Sequence, residues 1–577
     1  MNNGVKVNVG EVTTILRGSN VGDRILALLL RLFLVATATL SYAQSADYDE
    51  EGDLAILASN ENARMHYQRL TSPLRSKSAL WQGLESVIEA MPNDSDDYRR
   101  LETLVLEKSA AQLQSQVSQG TLSYEEITRF FIARIHAIET DDERYLNAII
   151  SLNPLAVDAA RAADDERKAG KAVPPDSLFG LPILLKDNVG FEGLPTTAGA
   201  AALAANYSRD AFVTGRLKAN GVIILGKANL SEWAYFFCTG CPSGYSALGG
   251  QTLNPYGRFA FNTGGSSAGS GAAIAGGFAV AAVGTETSGS ILSPSSANSL
   301  VGLKPTTGSL SRTGVVPISS TLDTVGPMAR TVRDAVALFN AMTGFDRADT
   351  AMPRLTEDLT LLVRDADLSG VRLGFPVALA SEPLIVAAVA KLEEAGAVVV
   401  PVEFSPPDLY EEVQFMGAEM VRDLAEYLRQ FSSDEVAIQS LSDLQAYNLE
   451  NRSERALYGQ ALVDQMVGFE SFFQSDAQAG AGEIARLKQL VVSEVGGYLN
   501  GLFSQHNLDA LVRINNSGAS AGAFANYPAL TIPAGYRESG QPVGITFYAP
   551  SFQEQRLVDI GLTLEASGAM RQPPANY

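Results

Sequence analysis

Residues 266–294 read SSAGSGAAIAGGFAVAAVGTETSGSILSP. The first twelve are almost all small, the composition of a helix that packs closely on its neighbours. FAVAAVGT, residues 278–285, is a continuous apolar run of strand length. GTETSGSILSP, residues 284–294, is rich in hydroxyls and glycine and contains no histidine. A helix that leads into a strand apolar on both faces is a unit of an α/β sheet covered on both sides. The strand then opens into a turn of serines, so a nucleophile there needs a base other than histidine.

The same alternation extends outward in both directions. LFGLPILLKDNV, from 178, is a short apolar run that ends in Lys186 and Asp187. GRLKANGVIILGKANLSEWAYF reads as helix, turn, strand and loop. VRLGFP, PLIVAAVAKLEEAG and AVVVPVEF make a strand-helix-strand unit. LDALVRI, PALTIPAG and VGITFYAP are strands, and EQRLVDIGLTLEA is a closing helix. Upstream, Ser123 with Glu126 three residues on caps the amphipathic LSYEEITRFFIARIHAIE, and Gly170 stops the helix NPLAVDAARAADDERKAG. Between about 408 and 500 strands nearly vanish, which reads as a helical elaboration over the sheet edge and a cover for a cleft.

The 577 residues, 46% hydrophobic and 19% charged, suffice for a large core and exclude a disordered chain. The formal net charge of -21 repels phosphate backbones, so no nucleic-acid partner is expected. Residues 25–40 are mostly apolar, follow Arg24 and precede Ser41-Tyr42-Ala43. Residues 1–43 therefore read as a secretory signal cleaved near Ala43, or as an N-terminal anchor, and place the protein outside the cytoplasm or in the periplasm. Residues 44–104 read as a helical extension, and 105–577 as the catalytic domain. Cys238 and Cys241, the chain's two cysteines, are spaced for a local disulfide in such a compartment. Free thiols and a redox or metal role remain open.

Scarcity narrows the chemistry. The three histidines, His66, His136 and His506, fall on an extension, an amphipathic helix and the approach to a strand, and none is in a loop suited to catalysis. Gly265-Ser266-Ser267-Ala268-Gly269 matches G-x-S-x-G, but a loop precedes it where a nucleophile elbow needs a strand. No metal-ligand spacing and no phosphate-cradling glycine motif is complete, so no metal and no cofactor is expected. Lysine is the remaining base for serine. Lys186 ends an apolar strand, where loss of water lowers an amine's pKa. A shift from about 10.4 to about 7 costs roughly 4 to 5 kcal/mol. From the residues alone, a lysine whose head returns to water is the more ordinary reading.

GLPILLKDNV, GGSSAGSGAAIAGG, GTETSGSILSP and GLKPTTGSLSRTGVVPIS, in that order and spacing, resemble the amidase signature family. The likeness runs from about 105 to the C-terminus. NLSEWAYF and SGYSALGGQTLNPYG are most similar to its peptide-amidase-like members. The resemblance implies a large mixed central β-sheet with helices on both faces, and hydrolysis of a carboxylic amide through an acyl-enzyme. Its alternatives are ester or carbamate hydrolysis at the same site, or an amidotransferase subunit. It implies a Ser-cisSer-Lys triad of Lys186 as base, Ser266 as the cis-serine and Ser290 as nucleophile, the two serines 24 positions apart. Thr287, Ser288, Gly289 and Ser290 would supply an oxyanion hole, worth about 3 to 4 kcal/mol per donor. Ser267 and Ser288 would face a small-molecule or peptide amide substrate. No obligate protein partner is expected. Ser288 stands where many members carry glycine. The loop after LDALV is shortened to RINNSGASAGAFANYPALTIPAG.

Overall fold

Among the described residues eleven strands pair into one mixed sheet, and the apolar runs read above form its backbone. The computed structural model describes residues 49–353, 359–568 and 570–577, and residues 49–577 cluster as one unit. The expected signal segment, 1–43, lies outside the described residues. In chain order the strands are β1 (Ile149–Leu152), β2 (Pro182–Lys186), β3 (Ile223–Ala228), the hairpin β4 (Tyr245–Ser246) and β5 (Gly250–Gln251), β6 (Ala281–Glu286), β7 (Val301–Lys304) and β8 (Thr324–Ala329). β9 (Arg372–Pro376), β10 (Val398–Val402), β11 (Ala510–Ile514), β12 (Ala529–Tyr536) and β13 (Pro542–Tyr548) complete the set. The large sheet runs β1-β3-β2-β6-β8-β7-β12-β13-β11-β9-β10.

Pairing is parallel on the two flanks, β3-β2-β6 and β11-β9-β10, and antiparallel through the middle. The flanks are the segments where sequence alternates strand with helix, as crossovers require. β2, β3 and β6 are buried at every position, which is why they read as apolar runs without alternation. β1, β7 and β8 were not singled out in the sequence. They are short strands of ordinary composition, and their place is set by antiparallel partners far along the chain.

Helices cover the sheet. α1 (Tyr124–Glu139) carries the capping box of Ser123 and Glu126. Asp164, in α2 (Ala156–Lys168), reaches across to accept hydrogen bonds from the amides of Tyr124 and Glu125 at α1's start. α3 (Ala268–Ala275) is buried at all eight positions against β2, β3, β6 and β8, and all but Ile274 are small. α4 (Leu292–Ala297) lies against β7, β12 and β13. From Glu411 to His506 the chain is helical, beginning with α5 (Glu411–Phe431). Met420, Val421, Leu424 and Tyr427 of α5 share a core cluster with Trp233, Phe237, Val316 and Ile318, in the connections that leave the sheet. This elaboration therefore covers the end where β2, β3 and β6 finish. Residues 50–105 form short helices, and Leu70 between them accepts hydrogen bonds from Asn147 and Gln251.

Two buried charges fasten β2 to β3. Asp187, one residue past β2, lies 3.3 Å from Lys227 Nζ of β3, and both side chains are fully buried. Asp187 also accepts hydrogen bonds from the amides of Thr197 and Gly199 and from the Thr197 hydroxyl. Lys227 donates to Thr196 Oγ1. Burial raises the pKa of Asp187 and lowers that of Lys227, and each charge opposes the shift of the other. Removing one member strands the other: Lys227→Met is expected to cost about 3 to 5 kcal/mol of stability. Lys218→Met, which breaks a half-exposed pair with Asp210, should cost no more than about 1 kcal/mol. Denaturant unfolding of the two variants checks the contrast.

Candidate active site

Lys186 is the last residue of β2, and its side chain is wholly buried. Nζ lies 2.7 Å from Ser266 Oγ, 2.8 Å from Thr285 Oγ1 and 3.2 Å from the Thr285 carbonyl. Asn188 Nδ2 donates to the same Thr285 hydroxyl at 3.0 Å. Burial pushes the Lys186 pKa down to about 7, against the opposing charges of Asp323 and Glu286. The alternative in which the amine returns to water does not hold, because Lys186 is surrounded by backbone and hydroxyls.

Ser266 sits in a turn clasped to the one that carries Ser290. The Gly265–Ser266 peptide is cis. The Ser266 carbonyl accepts from the Ser231 amide at 3.0 Å, and the Ser267 amide donates to the Ser290 carbonyl at 3.2 Å. Gly264 has φ +67°, and a β-carbon there would stand 2.7 Å from the Ser293 carbonyl. Glycine is thus required both by conformation and by the approach of the second turn. Ser290 is 8% exposed. Its hydroxyl is drawn into no hydrogen bond with the described residues, so it remains available to a ligand.

The turn from β6 to α4 is held at both ends. Glu286 Oε2 accepts from the amides of Ile291 at 2.7 Å and Leu292 at 3.0 Å, bridging the turn beneath Ser290. Thr287 Oγ1 donates to Asp323 Oδ1 at 2.6 Å, and Asp323 Oδ2 accepts from the amides of Ile318 at 2.8 Å and Ser319 at 2.9 Å. Removal from water raises the Asp323 carboxyl to about 6, opposed by those donors and by Arg312. The amides of Thr287, Ser288, Gly289 and Ser290 meet no acceptor among the described residues. Gly289, at φ +85°, turns the chain between them. Four such donors on one turn suit an oxygen that gains negative charge.

The remaining sequence candidates fall differently. Ser288 is half-buried on the turn that carries Ser290. Ser267 is fully buried, and its hydroxyl donates to the Thr285 carbonyl at 3.1 Å and accepts from the Thr285 amide at 3.3 Å. It positions the strand end that touches Lys186 and presents no free hydroxyl to a substrate. Cys238 and Cys241 are joined as a disulfide, with Cα atoms 5.8 Å apart. Their loop returns through Gly244, whose amide donates to Ser231 Oγ at 2.8 Å. The histidines are engaged elsewhere. The His136 ring stands against Trp81, His66 Nε2 meets the Asn60 carbonyl, and His506 ends a helix.

Sequence reading passed over Thr285, Glu286, Asn188, Ser231 and Asp323. Glu286 had a signal: a single carboxylate in a hydroxyl-rich turn, just before a helix start, is a capping residue. Asp323 had none, because only tertiary structure brings it 36 positions back to Thr287.

Comparison with known proteins identifies the family. The amidase family model matches residues 126–483. A probable amidase of Arabidopsis thaliana is 36% identical over 445 residues, 74% of this chain and 84% of that protein. The crystal structure of an amidase family protein from Bacillus anthracis superposes with a TM-score of 0.78 at 34% identity, over 87% of this chain and 99% of that one. The native peptide amidase from Stenotrophomonas maltophilia gives a TM-score of 0.74 at 37% identity, over 81% of this chain and 98% of that one. The chain belongs to the amidase signature family and is an amide-hydrolysing enzyme.

Proposed function

We propose that Ser290 attacks the carbonyl of a carboxylic amide, that Ser266 relays its proton, and that neutral Lys186 is the base. The observation that carries this reading is the surroundings of the Lys186 amine. Its three polar contacts are Ser266 Oγ, Thr285 Oγ1 and the Thr285 carbonyl. A carbonyl only accepts, so one N–H points there. The Thr285 hydroxyl oxygen takes the other. The lone pair of a neutral amine is then left for the Ser266 hydroxyl.

In the reaction, Ser266 gives its proton to Lys186 as it takes one from Ser290, and the Ser290 oxygen bonds to the amide carbon. The amides of residues 287–290 hold the oxyanion. Collapse expels the amine, protonated back along the same chain of groups. Water then cleaves the acyl-enzyme, with Lys186 and Ser266 again taking its proton. Small acyl or aryl amides and peptide C-terminal amides are the substrates of this reading, supported by the likeness to the peptide amidase. All three groups come from one chain, so the chemistry needs no partner subunit.

Ser290→Ala is expected to abolish amide turnover while leaving the unfolding midpoint within experimental error, and Lys186→Ala to be nearly as severe. Mass spectrometry after treatment with a fluorophosphonate should place the adduct on Ser290. An adduct elsewhere, or unchanged turnover in Ser290→Ala, overturns the assignment.

The base must be unprotonated, so kcat/KM should rise with pH through about 7 and then level off. The Asp323 carboxylate favours the Lys186 ammonium. Asp323→Asn should therefore move this acid limb to lower pH. It should also slow turnover about 10-fold, because an amide NH2 then faces the donors Ile318 and Ser319. A pH profile of both proteins reads the two effects separately.

A further inference from the structure

The shortened loop after LDALV runs against the turn that carries Ser290. β11 ends at Ile514, and residues 515–518 turn the chain into the short helix Ala519–Phe524. A β-carbon on Gly289 would stand 3.1 Å from Asn516 Nδ2, 3.4 Å from Ala519 Cβ and 3.7 Å from Asn516 Cβ. The Asn516 side chain therefore lies over Gly289 itself, with its nitrogen within about 5 Å of the Gly289 α-carbon. The Gly289 amide is one of those on 287–290 that meet no acceptor among the described residues.

Asn516 is held in place by its neighbours. Asn515 has φ +50°, a left-handed conformation that asparagine adopts more readily than most residues. Its amide donates to the Gly544 carbonyl at 2.8 Å, and its Oδ1 accepts from the Gly544 amide at 2.8 Å. Its carbonyl accepts from the Thr546 hydroxyl. On the other side, the Asn516 carbonyl accepts from the Ala519 amide at 3.2 Å. β13, which receives the first three bonds, packs on α4 just beyond Ser290. A β-carbon on Gly544 would stand 2.5 Å from Ser296 Oγ of α4. The backbone on both sides of Asn516 is thus fixed to the same elements that fix Ser290.

The side chain is left free. It is exposed, and its carboxamide forms no hydrogen bond with the described residues. Two donors and one acceptor therefore face the space in front of Gly289. In the proposed reaction the leaving amine takes its proton from Ser266, so it lies on the Ser266 side. The Ser266 turn meets the Ser290 turn at other positions. The Ser267 amide binds the Ser290 carbonyl, and Gly264 abuts the Ser293 carbonyl. No hydrogen bond among the described residues joins residues 515–518 to the Ser266 turn. The Asn516 loop is the flank left for the acyl group.

We propose that Asn516 is a specificity-determining residue that hydrogen-bonds the peptide group next to the scissile one, on the acyl side of the substrate. A carboxamide matches a peptide group in kind, N–H to carbonyl and oxygen to N–H. The reach is sufficient. An oxyanion held by the Gly289 amide lies at most about 9 Å from Asn516 Nδ2, and one residue of chain plus a hydrogen bond spans about 7 Å. The preferred substrates are then amides of N-acylated amino acids, and amides of plain alkanoic acids, which offer Asn516 no partner, are disfavoured. This rests on the reading of Ser290 as the nucleophile.

The test compares N-acetyl-L-alanine p-nitroanilide with the 2-methylpentanoyl p-nitroanilide of matching configuration, in which two methylenes replace the peptide group. Wild type should favour the first by at least 10-fold in kcat/KM. Asn516→Leu should bring that ratio near one by slowing the acetylalanyl substrate and sparing the alkanoyl one. Asn93→Leu, at an exposed position on the N-terminal extension, should leave the ratio as in wild type. A merely structural contact with Gly289 would slow both substrates alike in Asn516→Leu. That result, or equal rates for the two substrates in wild type, overturns the proposal. Calorimetry on Ser290→Ala separates this outcome from failure of the catalytic reading. N-acetyl-L-alaninamide should bind at least 10-fold more tightly than 2-methylpentanamide, and the advantage should disappear when Asn516→Leu is added. No such advantage overturns the Asn516 site even if Ser290 is the nucleophile. The advantage found together with a fluorophosphonate adduct on another residue supports the Asn516 site and fails only the catalytic reading.

Discussion

A lysine amine with no carboxylate beside it, sealed from water against a serine hydroxyl, is the constraint on which this structure depends. An ammonium in such a place loses several kcal/mol of hydration. Among the described residues three lysines are fully buried, and the fold treats each differently. Lys227 is met by the Asp187 carboxylate at 3.3 Å. Lys304 donates to the Pro305 carbonyl and lies in the field of Glu286 and Glu554. Lys186 meets only hydroxyls and a carbonyl, with Asp323 and Glu286 acting from a distance. Asp187, the adjacent residue, is committed to Lys227 and to Thr197. The pairing across β2 and β3 therefore commits the adjacent carboxylate to Lys227, and burial leaves the Lys186 pKa near 7.

That arrangement has to be held while the site is open to substrate, and the helical elaboration contributes to holding it. Glu419 of α5 accepts hydrogen bonds from the hydroxyls of Ser319 and Thr321 and from the Thr321 amide, and Asp423 accepts from the Ser320 amide. The segment so fixed contains Ser319, whose amide, with that of Ile318, orients Asp323, and Asp323 in turn holds Thr287. A continuous series of charge-assisted hydrogen bonds thus runs from the covering helix to the turn with the free amides. In the proposed reaction, displacement of α5 acts on the oxyanion hole before it acts on the base, because Lys186 is fastened to β2 and β6 instead.

Local features survived from sequence to structure, and long-range ones did not. Composition is enough for β2, β3, β6 and α3, because each is buried on all sides. The capping box at Ser123 and the stop at Gly170 are contacts within a few residues. The ordered strings that resemble the family placed Lys186 and Ser266 on facing elements, now seen 2.7 Å apart. Composition gave no hint of β1, β7 or β8, whose pairing partners are remote. The role of Ser267 was also hidden. Its neighbour Ser266 has the same side chain, and only the direction of the chain after the turn sends one hydroxyl to Lys186 and the other to the Thr285 backbone.

The extension before α1 completes the enclosure. It lies outside the span of the family match, which begins at residue 126, yet it packs on the loop that supports Ser266. The Gln68 amide donates to the Tyr458 hydroxyl at 2.8 Å, and the Tyr458 ring stands edge-on to Tyr245 at 4.9 Å. Ser72 donates to the Ala247 carbonyl at 2.6 Å. Tyr245 and Ala247 belong to the loop that passes through the disulfide and returns to Ser231, whose amide binds the Ser266 carbonyl. Extension, disulfide loop and helical elaboration therefore meet behind the cis-serine turn. Water admitted there would restore the ammonium's hydration and raise the Lys186 pKa. In the proposed reaction, this extension thus supports a base that it does not touch.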